Sequence, residues 1–246
     1  MTLQVVSCGC TVESVAPQLA LQFAPAGIWR VPGQIDADLL GYYPLGEYHG
    51  NDISGKGNHA TRIGLDEPSE LVRGILCEDA EVMDGRQYFV LPFELSRSIT
   101  VSIWCKPTSP KLETTILSVG DDLRFGLSWM LEPIIWINER KPDEDVINAS
   151  PLVRDKWTHI TFVRRDAEYL IYVNGLPVQL FHDGRKVKHA ITTTEPLSGI
   201  ASLSRYRDAS GLYGAYQEVA IRAASLSASE IKHEYRSYCE ALLEVN

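Results

Sequence analysis

The amino-acid sequence predicts an all-β chain, an antiparallel β-sandwich of jelly-roll type with an irregular N-terminal arm and a short C-terminal helix. Three observations carry this. From about residue 39 the chain is a series of short runs rich in β-branched and aromatic residues, each ended by turn residues. Several runs alternate apolar and polar positions with period two, the mark of a strand with one buried face. Helical spacing behind a capping sequence appears in the C-terminal segment. Many short strands with turns between them point to a sandwich or jelly roll. No repeat of roughly 20–50 residues is visible.

Residues 1–38 read as an arm. Pro17, Pro25, Gly27, Pro32 and Gly33 break any regular period. Leu19, Leu21, Phe23, Ile28 and Trp29 are too apolar for a free linker, so the arm is expected to pack on its own domain or on a neighbouring subunit. Met1–Val6 has no basic stretch and no long apolar stretch, and does not read as a secretory signal. The domain is placed at 39–246. Strands are expected over Tyr88–Leu91, Ser98–Cys105, Thr115–Val119, Arg124–Trp129 and Ile134–Asn138. In Ser98–Cys105, the residues Ile99, Val101, Ile103 and Cys105 share one face. A hairpin is expected over 157–175. Trp157, His159, Thr161 and Val163 fall on one side, Ile160 and Phe162 on the other, and Asn174-Gly175 tolerates the positive φ of the turn after the returning strand. Further strands fit Ile200–Ser204 and Tyr213–Arg222. The closing helix starts at a capping box, Ser227 with Glu230, and Leu226 can staple onto Ile231. Ile231, Tyr235, Tyr238 and Leu242 form its apolar face.

Composition narrows the function. The chain has 246 residues, 45% of them hydrophobic, and a formal net charge of -9, so it has material for a core and no general basic surface for nucleic acid. No run approaches the roughly 18 apolar residues of a membrane span. The five cysteines, Cys8, Cys10, Cys77, Cys105 and Cys239, are odd in number and irregular in spacing, which reads as free thiols, most of them buried.

Four motifs in order resemble the laminin-G-like, concanavalin-A-like lectin and glucanase jelly-roll family, found in many bacterial and phage proteins. They are Leu40–Leu45 with Asn51–Ala60; Tyr88–Leu91 leading into Ser98–Lys106; Lys156–Thr161 with Tyr172–Gly175; and Gly214–Ile221 with Leu226–Ile231. The resemblance covers roughly 39–236 and implies the sandwich. It also implies calcium near such a loop, with Asp52 and Asn58 as candidate ligands. The family's acidic residue in the last strand is replaced by Gln217, followed by Glu218, so the residues favour an Asx-type turn without a resident cofactor, and calcium is the alternative.

The enzymatic signatures are missing. There is no G-x-S-x-G elbow and no paired-carboxylate strand; Glu78–Glu81 and Asp143–Asp145 read as solvated segments. Cys105 reads as core and His159 as packed. His182 and His189 lie among Arg185, Lys186 and Lys188, whose charge opposes a cation; that run reads as a solvated basic loop. The candidate ligand contacts are Trp136 with Asn138, and Arg205 with Tyr206, since sugars stack on aromatics and bond to amides and guanidinium groups; a core role is the alternative for Trp136. The expectation is a non-catalytic binding or structural module. The resemblance points to a virion surface or tail, with protein subunits of an assembly, copies of itself included, as partners reached by the arm. The alternative is an extracellular glycan-binding module.

Overall fold

The computed structural model describes residues 37–64, 70–75, 79–95, 97–108, 113–120, 123–137, 145–166, 168–182, 185–187, 201–203 and 213–245. The expected packing of the arm therefore lies outside the described residues, apart from the turn at 37–38. The strands are β1 (Leu39–Tyr43), β2 (Thr61–Ile63), β3 (Leu71–Arg73), β4 (Asp79–Asp84), β5 (Tyr88–Val90) and β6 (Ile99–Pro107). Then come β7 (Thr114–Val119), β8 (Leu123–Leu127), β9 (Pro133–Ile137), β10 (Asp145–Asn148), β11 (Thr158–Arg165) and β12 (Glu168–Val173). The last are β13 (Leu176–Pro177), β14 (Leu180–His182), β15 (Arg185–Val187), β16 (Ala201–Leu203) and β17 (Tyr213–Arg222), followed by the helix α1 (Ala228–Val245).

They form two antiparallel sheets. One has eight strands in the order β13-β12-β11-β6-β17-β4-β3, with β1 also on β17; the other has nine, β15-β14-β10-β9-β8-β7-β16-β5-β2. The inward faces meet in one core. Ile99, Val101, Ile103 and Cys105 of β6 face inward with Ile160 and Phe162 of β11, as the alternation predicts. Phe162 stacks on Phe125 of β8 across the sandwich, ring centroids 4.8 Å apart. Burial pushes the Cys105 thiol up, which makes it an inert core residue.

β17 is the strand on which the eight-stranded sheet turns. Along one edge it pairs with β4 as far as Tyr216, and with β1 from Val219 onward. Its pairing with β6 shifts register between Gln217 and Ala220. Glu218 sits in this bulge with φ 57, a conformation that costs a side-chain-bearing residue energy.

The expected hairpin forms between β11 and β12, with Ile160 opposite Val173 and Arg165 opposite Glu168, and Asn174 and Gly175 both take positive φ in the turn that follows. The helix begins as predicted. The Glu230 carboxylate accepts from the Ser227 amide at 2.8 Å, and the Glu230 amide donates to the Ser227 hydroxyl at 3.3 Å. Leu226 and Ile231 share one cluster with Val163 and Tyr172. The helix thus lies on the outer face of the eight-stranded sheet. It passes so close to the β12–β13 turn that a Cβ on Gly175 would stand 2.9 Å from Tyr235 Cβ.

Candidate functional site

The loop of Asp52 and Asn58, for which calcium is the alternative reading, is closed by its own hydrogen bonds. Asp52 is buried, and its two carboxylate oxygens accept four of them: from the amides of Tyr42, Ser54 and Asn58 and from the Ser54 hydroxyl, at 2.8–3.0 Å. The Asn58 side-chain amide donates to the Leu40 carbonyl, and the Asn58 backbone carbonyl accepts from the Tyr43 hydroxyl at 2.7 Å. Burial and the Asp52 charge push the Tyr43 hydroxyl up, so it remains a donor. Gly55 and Gly57 take positive φ in this loop. Asp52 thus spends both carboxylate oxygens on the protein's own donors. Gln217 is likewise engaged, accepting from the Ile75 amide at 2.8 Å.

Trp136 is 2% exposed. It projects from β9 on the side away from the core cluster, and the Arg124 guanidinium lies over its ring, 3.6 Å from the centroid. Arg124 also pairs with Glu113 at 3.3 Å. That ring offers no free face to a sugar. Asn138, Arg205 and Tyr206 lie outside the described residues. The reading of Glu78–Glu81 as a solvated segment needs correction at its last residue. Glu81 lies on β4, on the same face as the core residue Met83, and is paired at 3.5 Å with Arg62 of the opposite sheet. Among the described residues no group of three His, Cys, Asp or Glu side chains is placed to hold a metal ion.

The exposed aromatic is one that sequence reasoning placed inside a strand. β8 ends at Leu127, and Ser128–Glu132 turn the chain back into β9. Trp129 at the tip is 67% exposed, and Met130 beside it is exposed as well. Ser128 makes this tip rigid. Its hydroxyl donates to the Glu132 carboxylate at 2.9 Å and accepts from the amides of Met130 and Glu132. Its backbone bonds both Glu132 and Leu131. Leu131 tucks inward with φ 64, so the tip stores backbone strain in order to display its neighbours. The signal that could have found Trp129 is the crowding of two strands: five residues between β8 and β9 leave the middle ones nowhere but the tip.

Three backbone bonds gather further turns at this end of the sandwich. The Leu152 amide donates to the Leu131 carbonyl, the Asp155 amide to Pro107 at the end of β6, and the Asn174 amide to the His159 carbonyl near the start of β11. The exposed side chains of Val153 and Leu176 therefore lie at the same end as Trp129 and Met130. Arg154, Asp155 and Lys156 supply polar and charged groups along the same loop. An aromatic face edged by hydrogen-bonding groups is what a sugar ring needs, with its C–H face on the indole and its hydroxyls on the neighbours.

The family profile described as concanavalin A-like lectin/glucanases superfamily matches residues 84–232, more than half of the chain. The chain belongs to that superfamily. Among solved structures, this superfamily member is similar to domain 4 of an extracellular arabinanase from Geobacillus stearothermophilus, solved with arabinotriose. The identity is 18%, the TM-score 0.63, and the match covers 80% of this chain and 98% of that one. It is also similar to the binding domain of Paraclostridial Mosquitocidal Protein 1 (16% identity, TM-score 0.59, 83% of this chain and 53% of that). A third likeness is to the binding domain of botulinum neurotoxin DC in complex with rat synaptotagmin II (16%, 0.59, 83% and 52%). The superfamily member spans about half the length of the two toxin chains. At these identities the likeness shows the fold. No curated protein matches the chain in sequence.

Proposed function

We propose that this chain is a non-catalytic binding module that takes carbohydrate at the loop end of its sandwich, with the Trp129 indole as the stacking platform. The observation that carries this reading is the exposed Trp129 on a tip braced by Ser128 and Glu132. A large aromatic left in water on a rigid turn is not explained by folding, which would bury it. Membership of a lectin and glucanase superfamily supports the reading, as does the solved likeness of an arabinanase domain holding arabinotriose. The buried state of Trp136 supports the tip over the sheet as the platform.

A glycan array that includes arabino-oligosaccharides and sialylated glycans, followed by calorimetry on the hits, tests this. Trp129→Ala is expected to weaken the best hit at least tenfold, about 1.4 kcal/mol, and to leave the melting temperature unchanged because the ring touches water. Equal affinity of the wild type and the variant would remove Trp129 from the site. Absence of any glycan hit would overturn the ligand class. Assembly through the N-terminal arm, and with it a place on a virion surface or tail, is a separate proposal that draws nothing from this end of the sandwich.

A further inference from the structure

Among the described strands, the eight-stranded sheet ends in β13 and β3, and the nine-stranded sheet ends in β15 and β2. An end strand leaves a row of backbone N–H and C=O groups open to pairing with another chain. Proteins blunt such ends with proline, with surface charge or with a charge turned inward. Three of these ends are blunted in those ways. β13 carries Pro177, which has no N–H to give. β15 presents the exposed Arg185 and Lys186. β2 turns Arg62 inward, opposite the core residue Phe89 on β5 and 3.5 Å from Glu81 of the other sheet.

β3 is different. It reads Leu71-Val72-Arg73 and, among the described strands, pairs with β4 alone, Leu71 opposite Glu81 and Arg73 opposite Asp79. Leu71 therefore shares the inward face of Glu81, yet it is 36% exposed, so this flank of the sandwich leaves an inward-facing leucine in water. The Arg62–Glu81 pair ties β2 to the same flank, and with it the exposed Ile63.

The arm that precedes β1 carries a segment suited to such an end. Between Pro17 and Pro25, residues 18–24 have no charge, no proline and no glycine, and Leu19, Leu21 and Phe23 alternate along them. The length suits a strand of about 5–6 residues. Laid beside β3, such a strand sets those three side chains next to Leu71 and leaves Ala20 and Gln22 on the outer face.

The arm enters its own sheet at the end remote from β3. The Asp38 carbonyl accepts from the Ala223 amide just past β17, whereas β4, and β3 beyond it, lie beside Tyr213–Tyr216 at the other end of that strand. The outer edge of β1 is closed by the Asp52 loop, whose Ile53 amide donates to the Tyr42 carbonyl and whose Asn58 side chain donates to the Leu40 carbonyl. Residues 24–36 extend to about 45 Å at most, long enough to carry the segment to a neighbouring molecule.

We propose that β3 is the docking edge for the N-terminal arm of a second copy of this chain, whose residues 18–24 add one further strand to the eight-stranded sheet. Backbone bonds along β3 hold the added strand, and Leu19, Leu21 and Phe23 against Leu71 set its register. The contact joins two different surfaces, so each copy gives an arm and takes one, and copies link head to tail into a ring or a filament. It gives assembly through the arm a place on the fold. It uses no residue of the Trp129 tip, so the carbohydrate reading stands or falls separately.

Sedimentation of the full chain over a wide range of concentrations tests this. The mass is expected to rise above that of the monomer as concentration increases. Leu71→Lys puts a charge on the edge, and Leu21→Pro takes an amide from the arm. Each is expected to weaken self-association at least tenfold, about 1.4 kcal/mol, with the melting temperature unchanged. Leu21→Pro lies outside the sandwich and serves if Leu71→Lys does not fold. Mixed together, the two variants are expected to pair, because Leu71→Lys keeps its arm and Leu21→Pro keeps its edge. A wild type that stays monomeric throughout, with its arm amides protected from exchange or not, would overturn the proposal. So would self-association that survives Leu21→Pro, or folded variants that do not pair when mixed.

Discussion

Glu234→Ala is expected to lower the free energy of unfolding by about 3–5 kcal/mol, measured by urea denaturation at neutral pH. The size follows from what the substitution leaves behind. Arg222 is buried, and Glu234 is the carboxylate that the helix brings to it at 2.9 Å. Removing that carboxylate takes a buried partner from the Arg222 guanidinium, and the interface must flood or the helix must lift. A loss of this size is a large share of the roughly 5–15 kcal/mol that holds a domain together. The paired replacement Glu234→Leu with Arg222→Met is expected to recover most of it, since apolar side chains of similar volume need no partner. A Glu234→Ala loss below about 1 kcal/mol would mean that the pair is solvated and does not hold the helix.

Asp52→Ala is the second large effect, expected to cost about 3 kcal/mol or more. The carboxylate gathers three backbone amides and a hydroxyl, and alanine would strand several of these donors at a partly buried site. The loop after β1 would loosen. Because β1 completes the sheet beside the β17 bulge, the loss should appear as a fall in melting temperature of the whole sandwich. Calcium and chelator are expected to leave the wild-type melting temperature unchanged. Binding calcium would require Asp52 to give up bonds it already makes, for a cation that wants six to eight oxygens. A rise of several degrees with calcium would show that the loop rearranges around the ion.

The parts of this fold that were legible in the sequence are those set by neighbours along the chain. Alternation along Ile99–Cys105 and Trp157–Arg164, the Asn174-Gly175 turn and the Ser227–Glu230 cap each rest on a few adjacent residues. The candidate site depended on distant pairings and was harder to read. Trp136 beside an asparagine looks like a sugar platform until Arg124, opposite it on β8, is seen to cover its face. Trp129 looks like the end of a strand until β9 returns and pushes it to the tip. The acidic run before Met83 hides a strand, because the charge of Glu81 is met by Arg62 from the other sheet. The apolar spacing of Ile231, Tyr235 and Tyr238 gave the correct helix face, yet it passed over Glu234, whose partner Arg222 becomes visible only once the helix is docked.

The place of ligand contact is the claim most open to a direct test. The chain has five tryptophans, and an exposed indole N–H reports its surroundings by NMR. Titrating the protein with a glycan taken from the array should move the Trp129 indole signal in a saturable way, while those of the buried Trp104 and Trp136 stay in place. Saturable movement at Trp104 or Trp136 with Trp129 unmoved would put the ligand on a different surface and contradict the loop-end site.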